Sequence, residues 1–209
     1  MFGTKILEER QSKYNGCLRV IRSLGFGTYI QAGGLTQSGG IVETIWRSTL
    51  QRVKSERAKV KNVLILGLGG GTIAELIGKK WPEAEITGVD IDPVMIELGK
   101  KYLRLGQTEV EIKIGDAYDY ITQKSKLKTY DLVIIDLYNG DEYPKKFETE
   151  NYIQLIRKVL PSDGVAVFNR LYYGDKRPQA VKFGNKLQKV FCNVEWFYPE
   201  ANLMFVCHK

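Results

Sequence analysis

The chain has 209 residues, of which 44% are hydrophobic and 26% charged, and its formal net charge is +7. This composition is typical of a globular domain with a substantial core, and it excludes a disordered, collagenous or solenoid protein. The longest apolar run, at residues 63–68, has the length of a strand and falls far short of the roughly 18 residues that span a bilayer.

Residues 1–48 are rich in glycine and β-forming residues, and short strands are predicted at residues 6–9, 18–21 and 28–31. Asn15-Gly16 and residues 25–27 are the turn signals between these strands. We therefore expect a small antiparallel meander, followed by a helix from about residue 40 to residue 59.

From residue 61 onward, apolar strands alternate with amphipathic helices. Strands are predicted at residues 63–66, 85–89, 110–114, 132–135, 164–169, 194–198 and 203–207. Helices are predicted at residues 72–80, 93–105, 116–122, 148–159 and 177–190. This alternation predicts an α/β fold with a mostly parallel seven-stranded sheet covered on both faces. The last two strands are too close for a helical crossover, so the sheet should end in an antiparallel hairpin.

A glycine-rich turn, Gly67-Leu68-Gly69-Gly70-Gly71, joins the first of these apolar strands to a helix that opens at Thr72. Glycines allow a backbone to approach a ligand closely, and a helix N-terminus offers unpaired N–H groups. A turn of this kind also occurs as a plain structural device, so its meaning depends on the strand ends around it.

Carboxylates follow the next strands at the point where each strand ends. Asp90 lies about 20 residues beyond the glycines, where a carboxylate can accept hydrogen bonds from a ribose diol. Asp116 can accept from an adenine amino group or cap a helix, and Asp92 before a proline is typical of a helix cap. Asp136, Asp141 and Glu142 follow the fourth strand. Because ligands bind at this edge of open α/β sheets, these residues predict a nucleoside site.

The sequence resembles the spermidine synthase (polyamine aminopropyltransferase) family, within the class I S-adenosylmethionine-dependent methyltransferase fold. The resemblance covers nearly the whole chain. It includes Gly34-Leu35-Thr36-Gln37 followed by Glu43 and Trp46, and the apolar Ile65, where methyltransferases of this class usually carry an acidic residue. It implies a Rossmann-like domain for S-adenosylmethionine at residues 49–209, preceded by the β-strand region at residues 1–48.

The resemblance also implies roles for individual residues. S-adenosylmethionine or decarboxylated S-adenosylmethionine would be held by Gln37, Gly67, Gly69, Gly70, Gly71, Asp90, Ile91, Asp116 and Ala117. Asp136 would be the catalytic base. The substrate, a small cationic amine, would contact Trp46, Tyr138, Asp141 and Glu142. The family implies a homodimer formed through the N-terminal strands.

Three positions depart from the family pattern: Gly70 replaces an aspartate that pairs with the aminopropyl ammonium, Asn139 replaces a second aspartate, and Trp46 replaces a tyrosine. At an effective dielectric constant near 20, charges 4 Å apart interact by about 4 kcal/mol, so a missing carboxylate at position 70 can change the donor preference. The main hypothesis is methyl transfer to a small amine. The alternatives are aminopropyl transfer that makes a polyamine, and a non-catalytic nucleoside-binding module.

Other classes of protein fit less well. Thr72 stands where the fingerprint of an NAD-dependent oxidoreductase requires glycine. The basic residues are dispersed over predicted helix surfaces, so we do not expect a nucleic-acid partner. Cys17, Cys192 and Cys207 have no metal-ligand spacing, and residues 1–10 lack the apolar core of a signal peptide. We therefore expect a cytoplasmic protein with no metal site and no membrane association.

Overall fold

The N-terminal part of the chain forms an antiparallel sheet in a computed structural model that describes residues 3–53, 60–124 and 129–209, without the side chain of Lys124. Its strands lie side by side in chain order: β1 (Thr4–Ser12), β2 (Gly16–Ser23), β3 (Gly27–Ala32) and β4 (Leu35–Gly39). The meander is confirmed, but β4 was missed. Its sequence LTQSG has one large apolar residue, so it lacks the alternation that predicts a strand.

Helix α1 (Ile41–Arg52) follows this sheet and buries Ile45, Trp46, Thr49 and Leu50. The last part of the predicted helix, residues 54–59, lies outside the described residues. The expected domain boundary at residue 48 falls inside α1, which packs against both β4 and the helix that follows the glycine-rich turn.

The larger sheet has the predicted seven strands. They are β5 (Asn62–Leu66), β6 (Glu85–Asp90), β7 (Glu111–Ile114), β8 (Leu132–Ile135), β9 (Val165–Leu171), β10 (Asn193–Phe197) and β11 (Asn202–His208). Their order across the sheet is β10-β11-β9-β8-β5-β6-β7. Strands β5 to β9 are parallel, and β11 pairs antiparallel with both β9 and β10, so the hairpin prediction is confirmed.

The helices between these strands are α2 (Thr72–Lys80), α3 (Pro93–Tyr102), α4 (Ala117–Lys124), α5 (Glu150–Lys158) and α6 (Lys176–Leu187). Their ends lie within three residues of the predicted ones. At two places the predicted helix extends into a residue that the structure assigns to a short 3₁₀ helix. These 3₁₀ helices are Leu105–Gln107 after α3 and Lys145–Glu148 before α5. Helix α5 begins late because Thr149 caps it, accepting a hydrogen bond from the Tyr152 N–H.

Successive apolar side chains along the buried strands point to opposite faces of the larger sheet, so they form two cores, one on each face. Leu64, Leu66, Val133 and Ile135 pack with α4, α5 and α6 on one face. Val63, Ile65, Leu132 and Ile134 pack with α1 and α2 on the other. A third cluster joins the N-terminal sheet to Met95 and Leu98 of α3. Among the described residues, no helix is long and apolar enough to cross a membrane.

Candidate functional site

A cavity of about 500 Å³ opens at the carboxyl ends of β5, β6, β7 and β8. Each of these strand ends contributes lining residues, and the N-terminal sheet and α1 close one side of the cavity. From the strand ends the lining includes Gly67, Leu68, Gly69, Asp90, Ile91, Asp116, Ala117, Asp136 and Tyr138. From the N-terminal part it includes Asn15, Gln37, Ser38 and Trp46. The structure thus brings most of the predicted site residues to one place.

The glycine-rich turn lies directly against the end of β8. Gly67 has φ +89°, and a Cβ atom at this position would lie 2.0 Å from the carbonyl oxygen of Asp136. Only glycine satisfies both the backbone conformation and the lack of space. The turn is therefore held in contact with the strand end that carries the predicted base.

Asp90 lines the cavity at the end of β6. Its carboxylate accepts hydrogen bonds from the Gly69 N–H at 2.7 Å and from the Asp92 N–H at 2.9 Å. Burial raises the pKa of Asp90 to about 6, although the two N–H donors oppose the shift. Asp92 is buried and caps α3 by accepting from the Val94 and Met95 N–H groups, as predicted. Only Asp90, of these two carboxylates, lines the cavity.

Asp116 both caps α4 and lines the cavity. One carboxylate oxygen accepts from the Tyr118 N–H at 2.8 Å, and the other forms an ion pair with Lys146. Burial alone would raise the pKa of Asp116, but the Lys146 ammonium and the backbone donors outweigh it and lower the pKa below its ordinary value. The helix-cap interpretation of Asp116 is therefore confirmed, and its contact with an adenine amino group stays a prediction for a residue that lines the cavity.

Asp136 lies where β8 ends and faces the cavity. Its Oδ2 accepts from the indole N–H of Trp46 at 2.9 Å, and its Oδ1 accepts from the side-chain amide of Asn169 at 2.8 Å. Burial raises the pKa of Asp136 above its ordinary value, and the two donors lower it only in part. Tyr138 also lines the cavity, and its hydroxyl accepts a hydrogen bond from the Leu171 N–H at 2.7 Å.

The N-terminal sheet holds the loop that follows β8. The side-chain amide of Gln37 donates to the Gly140 carbonyl at 3.1 Å, and the Gly140 N–H donates to Asn15 Oδ1 at 3.4 Å. The Asn15 amide in turn donates to Asp92 at 2.7 Å. Gln37 thus joins the N-terminal sheet to the loop that follows β8, and it lines the cavity between them.

Four of the predicted residues lie outside the cavity lining. Gly70 faces the N-terminal sheet and α3, since a Cβ there would lie 2.7 Å from Leu103 and 2.9 Å from the Ser38 hydroxyl. Gly71 precedes α2 with φ +90°. Asp141 and Glu142 lie on the exposed side of their loop, and Asp141 pairs with Lys176 at 3.0 Å, which lowers the pKa of Asp141.

Sequence reasoning missed several cavity residues. Asn169 and Asn202 are buried polar residues at the ends of apolar strands, and this interruption is a signal that could have been used. Asn15, Lys146 and Glu200 lie in turns, where their position depends on tertiary contacts. Glu200 also has φ +52°, an uncommon conformation for a residue other than glycine.

The order of the seven strands, with β11 antiparallel beside β9, defines the class I S-adenosylmethionine-dependent methyltransferase fold, and the cavity lies at the expected edge of its sheet. The spermine/spermidine synthase domain matches residues 43–199. The chain belongs to the spermine/spermidine synthase family, so the resemblance noted in its sequence is confirmed.

Two relatives and one solved structure illustrate the relationship. A polyamine aminopropyltransferase of Vibrio vulnificus is 31% identical over 53% of this chain and 38% of its own length. A mouse eEF1A lysine and N-terminal methyltransferase is 26% identical over 69% of this chain and 22% of its own length. The chain thus spans less than half of either relative. A spermidine synthase in complex with a transition state analogue has a TM-score of 0.80 at 22% identity, covering 98% of this chain and 74% of that one, which confirms the fold.

Proposed function

We propose that the chain is an S-adenosylmethionine-dependent transferase that transfers a methyl group to a small amine. One observation carries this proposal: Asp90 and Asp136 line the same cavity as the glycine-rich turn. A carboxylate suited to a ribose and a carboxylate suited to a base are thereby placed within the volume of one small-ligand site.

The cavity residues fit the donor in their chemistry. Asp90 keeps acceptor capacity for the ribose hydroxyls beyond its two backbone contacts. Ile91 and Ala117 provide apolar lining beside Asp116, which would accept from the adenine amino group. Gln37 would contact the nucleoside from the N-terminal sheet, and the Gly67–Gly69 backbone leaves room for the methionine part.

The reaction requires a neutral amine, because a protonated amine has no free lone pair. Asp136 would accept a proton from the ammonium group, leaving an amine nitrogen that forms its new bond to the sulfonium-bound carbon. The bound donor would supply that electrophilic carbon, and its sulfur would leave as a neutral thioether with the electron pair of the broken bond. The raised pKa of Asp136 makes its carboxylate a stronger base near neutral pH.

The environment of Gly70 supports the intact donor. The family resemblance places a carboxylate there that pairs with the aminopropyl ammonium, whereas Gly70 of this chain lies against Ser38 and Leu103, outside the cavity lining. The site therefore lacks that pairing for decarboxylated S-adenosylmethionine, and it also lacks the matching repulsion against the carboxylate of the intact donor. Asp141 and Glu142 would take part in acceptor binding only if their exposed loop turned toward the cavity.

A second candidate is polyamine aminopropyl transfer from decarboxylated S-adenosylmethionine. The observation that favours it is the 31% identity to an enzyme of that name. Another carboxylate of the cavity would then have to bind the aminopropyl ammonium, since position 70 has none. Glu200, on the turn between β10 and β11, lines the cavity and is our candidate for this contact.

Calorimetric binding of intact and decarboxylated S-adenosylmethionine tests the choice of donor, with methylthioadenosine and NAD as controls. We expect the intact donor to bind more tightly, and Asp90→Ala to abolish binding of both. Tighter binding of the decarboxylated donor would favour the second candidate. Binding that Asp90→Ala leaves unchanged would contradict the site.

Mass analysis of the products made from each donor with putrescine and spermidine as probes then tests transfer. Asp136→Asn should leave donor binding nearly unchanged and remove turnover. Persistent turnover in Asp136→Asn would contradict its role as the base. Tight donor binding with no product from either donor, over a wider panel of amines, would favour a nucleoside-binding module.

We also propose that two copies associate through the N-terminal sheets. Ile6 of β1 and Leu24 and Phe26 of the turn between β2 and β3 are large apolar residues that lie 50%, 90% and 60% exposed, and an apolar surface of this kind favours association with another chain. Light scattering of the purified protein should give the mass of a dimer, and Leu24→Lys with Phe26→Lys should give the mass of one chain. A single-chain mass for the unmodified protein would contradict this proposal.

A further inference from the structure

Three side chains hold Asp136 in a linear series of hydrogen bonds. Trp46 donates to one carboxylate oxygen at 2.9 Å, and Asn169 donates to the other at 2.8 Å. Asn202 then donates from its own amide to Asn169 Oδ1 at 2.7 Å. The series runs from α1 through the end of β8 to the ends of β9 and β11, so it joins four elements of the fold.

We propose that Asn202 acts through Asn169 to hold Asp136 with its proton-accepting lone pairs facing the cavity. Asn169 and Asn202 are positioning residues in this inference, which deepens the proposed function and rests on the proposed role of Asp136 as the base.

The direction of the series follows from what each group can donate or accept. The indole N–H of Trp46 is a donor only, so it fixes one oxygen of Asp136 as an acceptor. An asparagine can turn either its oxygen or its nitrogen toward a neighbour. Because Asn202 donates to Asn169 Oδ1, the amide nitrogen of Asn169 is the atom that remains for Asp136.

Burial makes this arrangement costly to reverse. Asn169 and Asn202 are 6% and 7% exposed, so a polar atom of either residue that lost its partner would have little access to water. An unpaired buried polar group is destabilising, which favours the one orientation in which these contacts are made. The contact from Asn202 thereby stabilises the orientation of Asn169 that presents a donor to Asp136.

A consequence for proton transfer follows. Neither Trp46 Nε1 nor Asn169 Nδ2 can accept a proton from Asp136, because both are donors. A proton that Asp136 takes up must therefore lie on a lone pair outside these two contacts. The remaining direction is the cavity, which Asp136 lines together with Trp46, Asn169 and Asn202. An ammonium group in the cavity would meet the free lone pair directly.

Of the titratable groups near Asp136, Asp90 lines the same cavity and has a pKa of about 6, so it titrates within the pH range of the test, whereas the two neighbouring tyrosines do not. Burial raises the pKa of Tyr138 and of Tyr143 well above the ordinary value for tyrosine, so both stay neutral. Arg170, on β9, stacks on the Tyr143 ring at 4.0 Å and forms an ion pair with Glu148 at 2.6 Å. Because the Trp46 indole donates directly to Asp136, its N–H resonance should report the protonation of Asp136, and Asp136→Asn separates this titration from that of Asp90.

The test uses the indole N–H resonance of Trp46, one of three tryptophans, in a ¹H–¹⁵N spectrum recorded from pH 3 to pH 9. Trp46→Phe assigns the resonance, and its titration must disappear in Asp136→Asn. We expect Asn202→Leu to raise the midpoint by about one pH unit, because Asn169 no longer presents a fixed donor to the carboxylate. Asn193→Leu, at an exposed position of the same hairpin, should leave the midpoint unchanged.

The decisive comparison is a double-mutant cycle. Asn169→Leu should raise the midpoint by itself, and adding Asn202→Leu to it should produce no further shift, since Asn202 acts through Asn169. The proposal is overturned if Asn202→Leu leaves the midpoint unchanged, if it shifts the midpoint equally in both backgrounds, or if the resonance does not titrate with Asp136.

Circular dichroism identifies any variant that does not fold. If Asn202→Leu is one of them, Asn202→Ala, which only removes atoms, is measured in the same two backgrounds with the same expectations. The titration uses neither donor nor acceptor. Its outcome is therefore independent of whether the chain transfers a methyl group, an aminopropyl group or nothing.

Discussion

The ammonium group of Lys146 pairs with the carboxylate of Asp116 at the edge of the cavity, where the resemblance to spermidine synthases places the adenine amino group. The adenine end of the proposed donor site is thus a carboxylate that already has a cation partner. The Lys146 side chain is half exposed, whereas that of Asp116 is 18% exposed, so Lys146 is the group free to move.

We predict that Lys146→Met tightens binding of S-adenosylhomocysteine by about two- to five-fold, the range expected from losing a partly exposed ion pair that competes with the ligand. Lys145→Met, in the same turn and exposed, should leave the affinity unchanged. Calorimetry measures both. Weaker binding in Lys146→Met would mean that the lysine contacts the ligand itself.

The raised pKa of Asp90 predicts a pH dependence of donor binding. A carboxyl group with a pKa of about 6 is neutral below that pH and then accepts hydrogen bonds from the ribose less well. Affinity for S-adenosylhomocysteine should therefore fall as the pH is lowered through about 6. Asp116 does not contribute in this window, because its pKa is lowered.

The pH series is repeated with two variants. Asp90→Ala should show no binding at any pH of the series, and Asp136→Asn should retain the pH dependence. A dependence that disappears in Asp136→Asn instead would assign the titration to the predicted base.

Gly67→Ala should strongly destabilise the fold. The new methyl group would lie 2.0 Å from the Asp136 carbonyl oxygen, at a φ of +89° that alanine rarely adopts. We expect the free energy of unfolding in urea to fall by about 3 kcal/mol or more. Gly78→Ala is the matched control, since it lies in α2 with open space around it and should raise the stability by about 1 kcal/mol. Equal effects of the two substitutions would refute the close contact at Gly67.

Thr72 connects the N-terminal sheet to α2. Its hydroxyl accepts from the buried Gly39 N–H at 2.7 Å and pairs with the Ser38 hydroxyl at 2.8 Å. Thr72→Val keeps the shape of the side chain but leaves these groups unpaired, so we predict a loss of about 1–3 kcal/mol in the free energy of unfolding. Thr4→Val, at the exposed start of β1, should be nearly neutral. A neutral Thr72→Val would show that the two hydrogen bonds do not stabilise the docking of the sheet.

The sequence was sufficient for most of the larger sheet because its strands are short continuous apolar runs, such as LVII in β8, bounded by turn residues. Acidic residues at the ends of parallel strands must meet at one edge, so the positions of Asp90, Asp116 and Asp136 followed from topology alone. These inferences depend on local patterns and on rules that hold for every sheet of this type.

Other parts of the site depend on contacts between distant segments. Asn15 reaches Asp92 and Gly140 because the turn between β1 and β2 folds over the sheet, and no local pattern indicates this. The direction in which Gly70 faces depends on the packing of β4 and α3. Counting glycines locates the turn, but it does not tell which glycine would direct a side chain toward a ligand.

The contact between Gly67 and the Asp136 carbonyl limits how this protein can diverge. The turn at the proposed donor site and the strand end bearing the predicted base touch through backbone atoms, so a substitution that shifts one displaces the other. Substitutions that alter ligand preference are therefore expected in segments that line the cavity but do not take part in this contact. Examples are the turn between β10 and β11 and the N-terminal sheet. Members of the family can then differ in ligand preference while the contact between the turn and the strand end is kept.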